Sequence, residues 1–260
     1  MASLREGARI QFRVITALAI RELTTRFGRE NIGFLWIMAE PLLFAVLVSI
    51  MWTIMKGPEE HGVGVVAFVV TGYLPLTLFR HGVGRSISVF QVNSSLMYHR
   101  QIQILDFIFV RVLIEVAGTL MAYVFICAIL IYFDLFPVPA DIGLFLAGFL
   151  LYSFFTLSVC LIVAPASEMS TALEKFMPVT TYIMIPVSGT FNLVSWLTPE
   201  ARDVLLWSPP VNAMEMMRYG IFGDQITPYY GFAVPVLVPM VLTLIGLFLC
   251  RTVRRHLVVE

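Results

Sequence analysis

The residues best placed to do chemistry are charged side chains set inside apolar runs. Glu40 stands beside Pro41 in the run 34–55. A carboxylate in hydrocarbon is costly and marks a functional position by default. It lies about two helical turns inside the run, within reach of a basic group such as Arg80 or Arg111. Structural pairing and lining of a pathway both fit it. Arg111 and Glu115, four residues apart at the start of another run, are expected to pair along one helix face and to snorkel toward headgroups. His61, His81, His99 and His256 are scattered over loops and run ends on both sides, which suits no shared metal site. Cys127, Cys160 and Cys250 lie in apolar runs without paired spacing and read as small apolar residues. No His-Glu-x-x-His, Gly-x-Ser-x-Gly or Gly-x-x-x-x-Gly-Lys-Ser/Thr pattern occurs. The chain is therefore not expected to be an enzyme, to hold a metal or to split ATP by itself. Active work would need a partner's energy.

The elements that position these residues follow from composition. Of 260 residues, 59% are apolar and only 13% charged, with a mean hydropathy of +0.88. A soluble globule needs about a quarter of its residues charged, so half that supply implies a solvent that is mostly lipid. A formal net charge of zero gives no sign of nucleic-acid binding. Apolar runs long enough to cross a bilayer fall at 34–55, 63–79, 112–133, 143–164, 176–197 and 232–250. The fold class is an all-α integral membrane protein with six transmembrane helices. The second run is short. The fifth holds Pro178, Pro186 and Gly189, and reads either as one span or as a span to about Ile185 followed by a re-entrant helical hairpin dipping back from the outer side.

Six spans leave both termini on one side. That side, made of the N-terminal segment, the second and fourth loops and the tail, carries 14 of the 17 Lys and Arg, which marks it as cytoplasmic. The first 30 residues hold six arginines and no isolated apolar block, so the first span is expected to serve as the insertion signal. Residues 1–31 form a cytoplasmic unit and 32–260 a six-helix unit, with a cytoplasmic loop at 85–106 and an outer segment at 195–230. The N-terminal unit reads as an amphipathic helix. Arg5, Arg9 and Arg13 share one face and Leu4, Ile15 and Leu18 the other; beyond them Ile20, Leu23 and Phe27 form a stripe roughly opposite, against Glu22, Arg26 and Arg29. This switch implies a bend near Ala19 or different neighbours along the helix. In the cytoplasmic loop, Asn93, Ser94 and Ser95 signal a helix start and 96–105 one short helix, with Met97, Arg100, Gln101 and Ile104 on one face. It reads as a docking knob for a partner or as a solvated turn. In the outer segment, Asn212 is placed to cap a short amphipathic helix in which Glu215 precedes Arg218 by three residues.

Three stretches carry a family resemblance. "LAIRELTTRFGRENIGFLWIMAEPLL" resembles the start of the permeases of type-2 ABC polysaccharide exporters, through Arg21, Glu22, Leu23, Arg26, Phe27, Gly33, Leu35, Trp36 and Pro41. "GYLPLTLFRHGVGRSISVFQVNSSLMYHRQIQILDFIFVRVLIE" and "WSPPVNAMEMMRYGIFG" resemble the capsule branch, the KpsM-like permeases. The resemblance covers nearly the whole chain. It implies a bacterial inner-membrane homodimer bound to two copies of an ABC ATPase, which would supply ATP and Mg. It also implies a lipid-linked acidic polysaccharide as cargo, with a periplasmic copolymerase and an outer-membrane export protein beyond. O-antigen, teichoic acid or a small drug are the alternative cargoes.

On this resemblance the N-terminal helix, with Arg5, Arg9, Arg13, Arg21, Glu22 and Arg26, becomes an interface helix. Leu96, Met97, Tyr98, His99, Arg100, Gln101 and Ile104 become an ATPase-coupling helix. A canal between two copies would let a glycan slide over aromatic faces, for which Trp36, Trp52, Tyr73, Phe79, Tyr152, Phe154 and Phe155 are candidates. Arg80, His81 and Arg85 would hold an acidic group at the entrance, with Glu40 in the lining.

Overall fold

A computed structural model describes residues 4–27, 33–60, 62–97 and 102–257. Among the described residues the elements are helices, with one two-residue antiparallel pair in which Glu59 and Glu60 face Gly64 and Val63. Gly62, at φ +79°, makes the tight turn between them. In chain order the helices are α1 (Leu4–Phe27), α2 (Gly33–Lys56), α3 (Val65–Ser86), α4 (Val89–Val92), α5 (Ile104–Tyr132), α6 (Ile142–Met169), α7 (Thr171–Ile183), α8 (Pro199–Leu205), α9 (Pro209–Phe222) and α10 (Ala233–Leu257). Among the described residues, α3, α5, α6 and the stretch Ala233–Arg254 of α10 are long and apolar enough to cross a membrane, and Leu42–Met55 of α2 forms a shorter apolar helix.

Local chemistry sets the helix starts. The Asp141 side chain accepts from the Leu144 N–H at 3.0 Å to open α6. Gln103 and Asp106 cap one another to open α5. Prolines occupy the first turns of α8 and α9, where a missing N–H costs nothing.

The core is organised around α3, which is buried along most of its length, and α6, which packs on α3, α5, α7, α9 and α10. Glycines permit the closest crossings. A Cβ on Gly148 or Gly220 would lie within 2.8 Å of backbone atoms across the α6–α9 contact, and one on Gly246 would lie 2.6 Å from the Leu161 Cβ between α10 and α6. Small residues at such crossings let backbones approach, which is how helices gain contact in lipid.

A proline inside a helix frees the carbonyl four residues back, and for two of them, Pro75 and Pro165, another helix supplies the donor. Pro75 frees Thr71, whose carbonyl accepts from the Tyr123 hydroxyl of α5 at 2.8 Å. Pro165 frees Leu161, whose carbonyl accepts from the Cys250 thiol of α10 at 3.6 Å, a weak bond. Cys127, Cys160 and Cys250 are free thiols, and Cys250 is more than an apolar filler.

Several expectations need correction. The second span is not short: α3 continues past Phe79 to Ser86, because the partners described below accept Arg80 and Arg85. The run 96–105 is not one helix. Ser94–Leu96 is a 3-10 turn, Gln103 is extended, and Ile104 already belongs to α5; the Gln103–Asp106 cap fixes that start. α1 is one uninterrupted helix whose protein-facing stripe is Gln11, Val14, Ile15, Leu18 and Glu22. Of the second stripe, Ile20 is 59% exposed while Leu23 packs against the core. In the fifth apolar run one straight helix is ruled out: the helix stops at Ile183, close to the Ile185 of the second reading, and a largely irregular stretch reaches Trp196 before α8 begins.

Candidate functional site

At the α1 end of the bundle, polar side chains from four helices and a loop join into a network. The Gln11 amide donates to the Asp106 carboxylate, tying α1 to the first turn of α5. Arg21 donates to the Asn93 side-chain oxygen at 2.8 Å, tying α1 to the loop after α4. Glu22 lies 3.4 Å from the Arg111 guanidinium, which also donates to the backbone carbonyl of Arg85. The Arg85 side chain returns to α5, donating to Glu115 Oε1 at 2.7 Å, while His81 Nδ1 lies 3.7 Å from Glu115 Oε2. Farther along α3, Arg80 donates to the Tyr182 hydroxyl of α7 at 2.9 Å and lies 4.6 Å from that ring's centre.

This geometry corrects the helix-internal pairing expected of Arg111 and Glu115. Arg111 reaches Glu22 on α1 and Arg85 on α3, and Glu115 takes Arg85 and His81. Buried charges need strong partners; a neighbour four residues along one helix cannot satisfy all the donors of a guanidinium. The three entrance candidates therefore divide. Arg85 and His81 face a protein carboxylate, and Arg80 rests on a tyrosine at the edge of α7.

The remaining candidates scatter. Arg5, Arg9 and Arg13 are exposed on α1. Leu96 and Met97 are half-buried against the core, whereas Tyr98, His99, Arg100 and Gln101 lie outside the described residues, as do the side chains of Arg26, Trp36 and Glu40. Among the proposed canal aromatics, Tyr73, Phe79, Tyr152 and Phe155 are buried within the single chain, Tyr152 at 1% exposure. Phe79 stacks on Phe155 at 5.8 Å. A passage between two copies reaches these four only if the surrounding helices move. Trp52 and Phe154 are half-buried, and Trp52 packs on Phe68 and Phe191.

The largest feature missed by sequence reasoning lies in α9. Arg218, expected on a short amphipathic helix of the outer segment, is completely buried. Its Nη1 donates to the Gly189 and Asn192 carbonyls at 2.7 and 3.0 Å, and its Nη2 to the Thr190 carbonyl at 2.6 Å. The guanidinium carbon sits 4.1 Å from the centre of the Phe68 ring. One turn earlier, Glu215 Oε1 accepts from the Val194 N–H at 3.1 Å. The pair thus grips the irregular stretch after α7, whose backbone lacks helical partners.

Asn212 does not cap α9; Ser208 holds that position. Asn212 is buried, donates to the Leu206 and Ser208 carbonyls at 2.7 and 3.0 Å, and accepts from the Gly231 N–H at 2.7 Å. An arginine among three methionines in "NAMEMMRYG" was the available signal. Among the described residues, no group of three His, Cys, Asp or Glu side chains could hold a metal ion.

No family model matches the chain. It is similar to the capsule polysaccharide export inner-membrane protein BexB of Haemophilus influenzae, 34% identical over 249 residues that cover 96% of this chain and 94% of BexB. The capsule polysaccharide export inner-membrane protein CtrC of Neisseria meningitidis serogroup B is 37% identical over 245 residues, 94% of this chain and 92% of CtrC. The polysialic acid transport protein KpsM of Escherichia coli shares less, 25% over 250 residues, at 95% and 96% coverage. With identity above 30% sustained from end to end, the chain belongs to the family of capsule polysaccharide export inner-membrane proteins.

Proposed function

We propose that this chain is the permease subunit of an ABC exporter that carries capsular polysaccharide across the inner membrane. Its end-to-end similarity to capsule export inner-membrane proteins supports the cargo. The observation that carries the division of labour is α1. This helix is lashed to the bundle through Gln11, Arg21 and Glu22 and leaves Arg5, Arg9 and Arg13 exposed. A tethered basic face is a platform for a soluble partner, and the chain has no phosphate-binding loop of its own.

In this reading two copies of the chain stand on two copies of a cytoplasmic ABC ATPase, which binds ATP and Mg; the chain itself holds no cofactor. α1 and the loop 85–106 seat on the ATPase, with both termini cytoplasmic. The chain crosses six times, through α2, α3, α5, α6, α7 with the stretch that follows it, and α10. α8 and α9 form a hairpin that re-enters from the outer side. Arg218 supports that hairpin, because irregular backbone at membrane depth needs its carbonyls satisfied by protein. A lipid-linked acidic polysaccharide enters from the cytoplasmic side, and a periplasmic copolymerase and an outer-membrane export protein receive it.

The test is a strain lacking the chain, complemented by a tagged copy. Polysaccharide is expected to accumulate inside the deletion strain and return to the surface on complementation, with an ATPase co-purifying. Surface polysaccharide in the deletion strain, or export that continues when ATP hydrolysis is blocked, would refute the reading.

A further inference from the structure

The contacts at the α1 end lead along α3 to α7, a helix that buries little of itself. Of the 13 residues of α7, only Thr181 is buried. Little apolar contact resists its displacement, and segments with few buried contacts are those that move at least cost. α3 is the opposite case, a long helix buried along most of its length. At its last turn α5 grips it twice, through Arg111 on the Arg85 carbonyl and Glu115 on the Arg85 side chain. α1 in turn grips α5 through Glu22 on Arg111. Two turns back from the C-terminal end of α3, Arg80 holds the Tyr182 hydroxyl and ring of α7.

We propose that Glu22, Arg111, Glu115, Arg85, Arg80 and Tyr182 form a relay that carries displacement of α1 through α5 and α3 to α7. This rests on the exporter reading, in which an ATPase moves α1, and it names the positioning residues that couple hydrolysis to transport. Side-chain pairs suit the task. They transmit a push while intact and can exchange partners between two arrangements, as Arg85 can between Glu115 and solvent. The path bypasses the loop after α4.

Glu115→Gln and Tyr182→Phe test it, each carried as the sole copy in cells, with surface polysaccharide normalised to the amount of chain in the membrane. Each is expected to lower export on the order of tenfold, while the ATPase still co-purifies and still hydrolyses ATP. The two side chains stand on α5 and α7, on helices that both pack against α3. Separated sites acting independently multiply their effects. A shared relay makes the double variant no worse than the worse single one.

Tyr182→Phe keeps the ring beneath Arg80 and is the milder probe of folding. Arg85→Lys, which keeps a cation beside Glu115, is expected to export about fivefold more than Arg85→Gln. Native export in either single variant, multiplied losses in the double, or equal export by the Lys and Gln variants would overturn the relay. If the unaltered chain fails to retain an ATPase, the exporter reading fails instead.

Discussion

The two ends of the bundle solve the problem of buried polarity in different ways. Around α9, one-sided donors cap backbone carbonyls: Arg218 takes three after α7, and Tyr123 takes the one that Pro75 frees. A carbonyl has no alternative donor in an apolar interior, so such contacts fix the backbone. At the α1 end, charged side chains face charged side chains across helices, and Arg85 is 37% exposed. Pairs that touch water can break and re-form at small cost. One region is built to stay and the other to be pushed.

Arg218→Leu should do the most damage to that contrast. It strands three buried carbonyls, each costing about 1–3 kcal/mol when unmet. A loss of at least about 3 kcal/mol is a large share of the stability of an ordinary domain. We expect the variant to melt far below the unaltered chain in detergent, or to fail to accumulate. A melting temperature within a degree or two of the native one would show that the carbonyls have other donors and that the region is not fixed by Arg218.

Gly220→Val comes next. The added carbon would lie 2.6 Å from the Phe145 nitrogen and 2.8 Å from the Asp141 carbonyl oxygen, both backbone atoms at the start of α6. Neither can rotate away, so overpacking should cost about 1–3 kcal/mol and separate α9 from α6. Thermal melting together with protease sensitivity of the 195–230 segment measures it. Unchanged resistance would mean that α9 does not pack there.

Much of the fold could be read from apolar run length, since α3, α5, α6 and α10 correspond to four of the six runs. The misreadings share one cause. The sequence suggests short-range pairing for Arg218 and Arg111, while partners of theirs lie 26 and 89 positions away. A charge in or beside an apolar run looks like a boundary until its tertiary partner is known, which is why the second apolar run ends at Phe79 while α3 continues to Ser86. Arg21 and Glu22, chosen through resemblance, do join the α1-end network. The buried aromatics could not be separated from lipid-facing ones, because every face of a membrane helix is apolar.

Tyr123→Phe is a narrower test of the fixed region. It removes the donor to the Thr71 carbonyl and leaves the ring in place against Phe145 and Phe149. The expected loss is about 1–2 kcal/mol, read as a lower melting temperature that salt does not change. If the variant is as stable as the parent, the carbonyl that Pro75 frees does not depend on α5.

Arg85→Gln should have the smallest effect on stability and therefore sharpens the comparison most. Arg85 is partly exposed while Glu115 is buried, but His81 stays beside the carboxylate at 3.7 Å and the glutamine amide can still donate to it, so the expected loss is about 1 kcal/mol. Raising the salt concentration shortens the screening length to a few ångströms at about 1 M, and the native chain should then lose most of the stability that distinguishes it from Arg85→Gln. Arg218→Leu, whose lost contacts are buried and end on neutral carbonyls, should keep its full deficit at every salt concentration. Melting the native chain and both variants at low and high salt gives the answer. Were the Arg85→Gln deficit as large and as salt-independent as that of Arg218→Leu, the α1-end network would be a second fixed clamp, with no mobile link between α1 and α3.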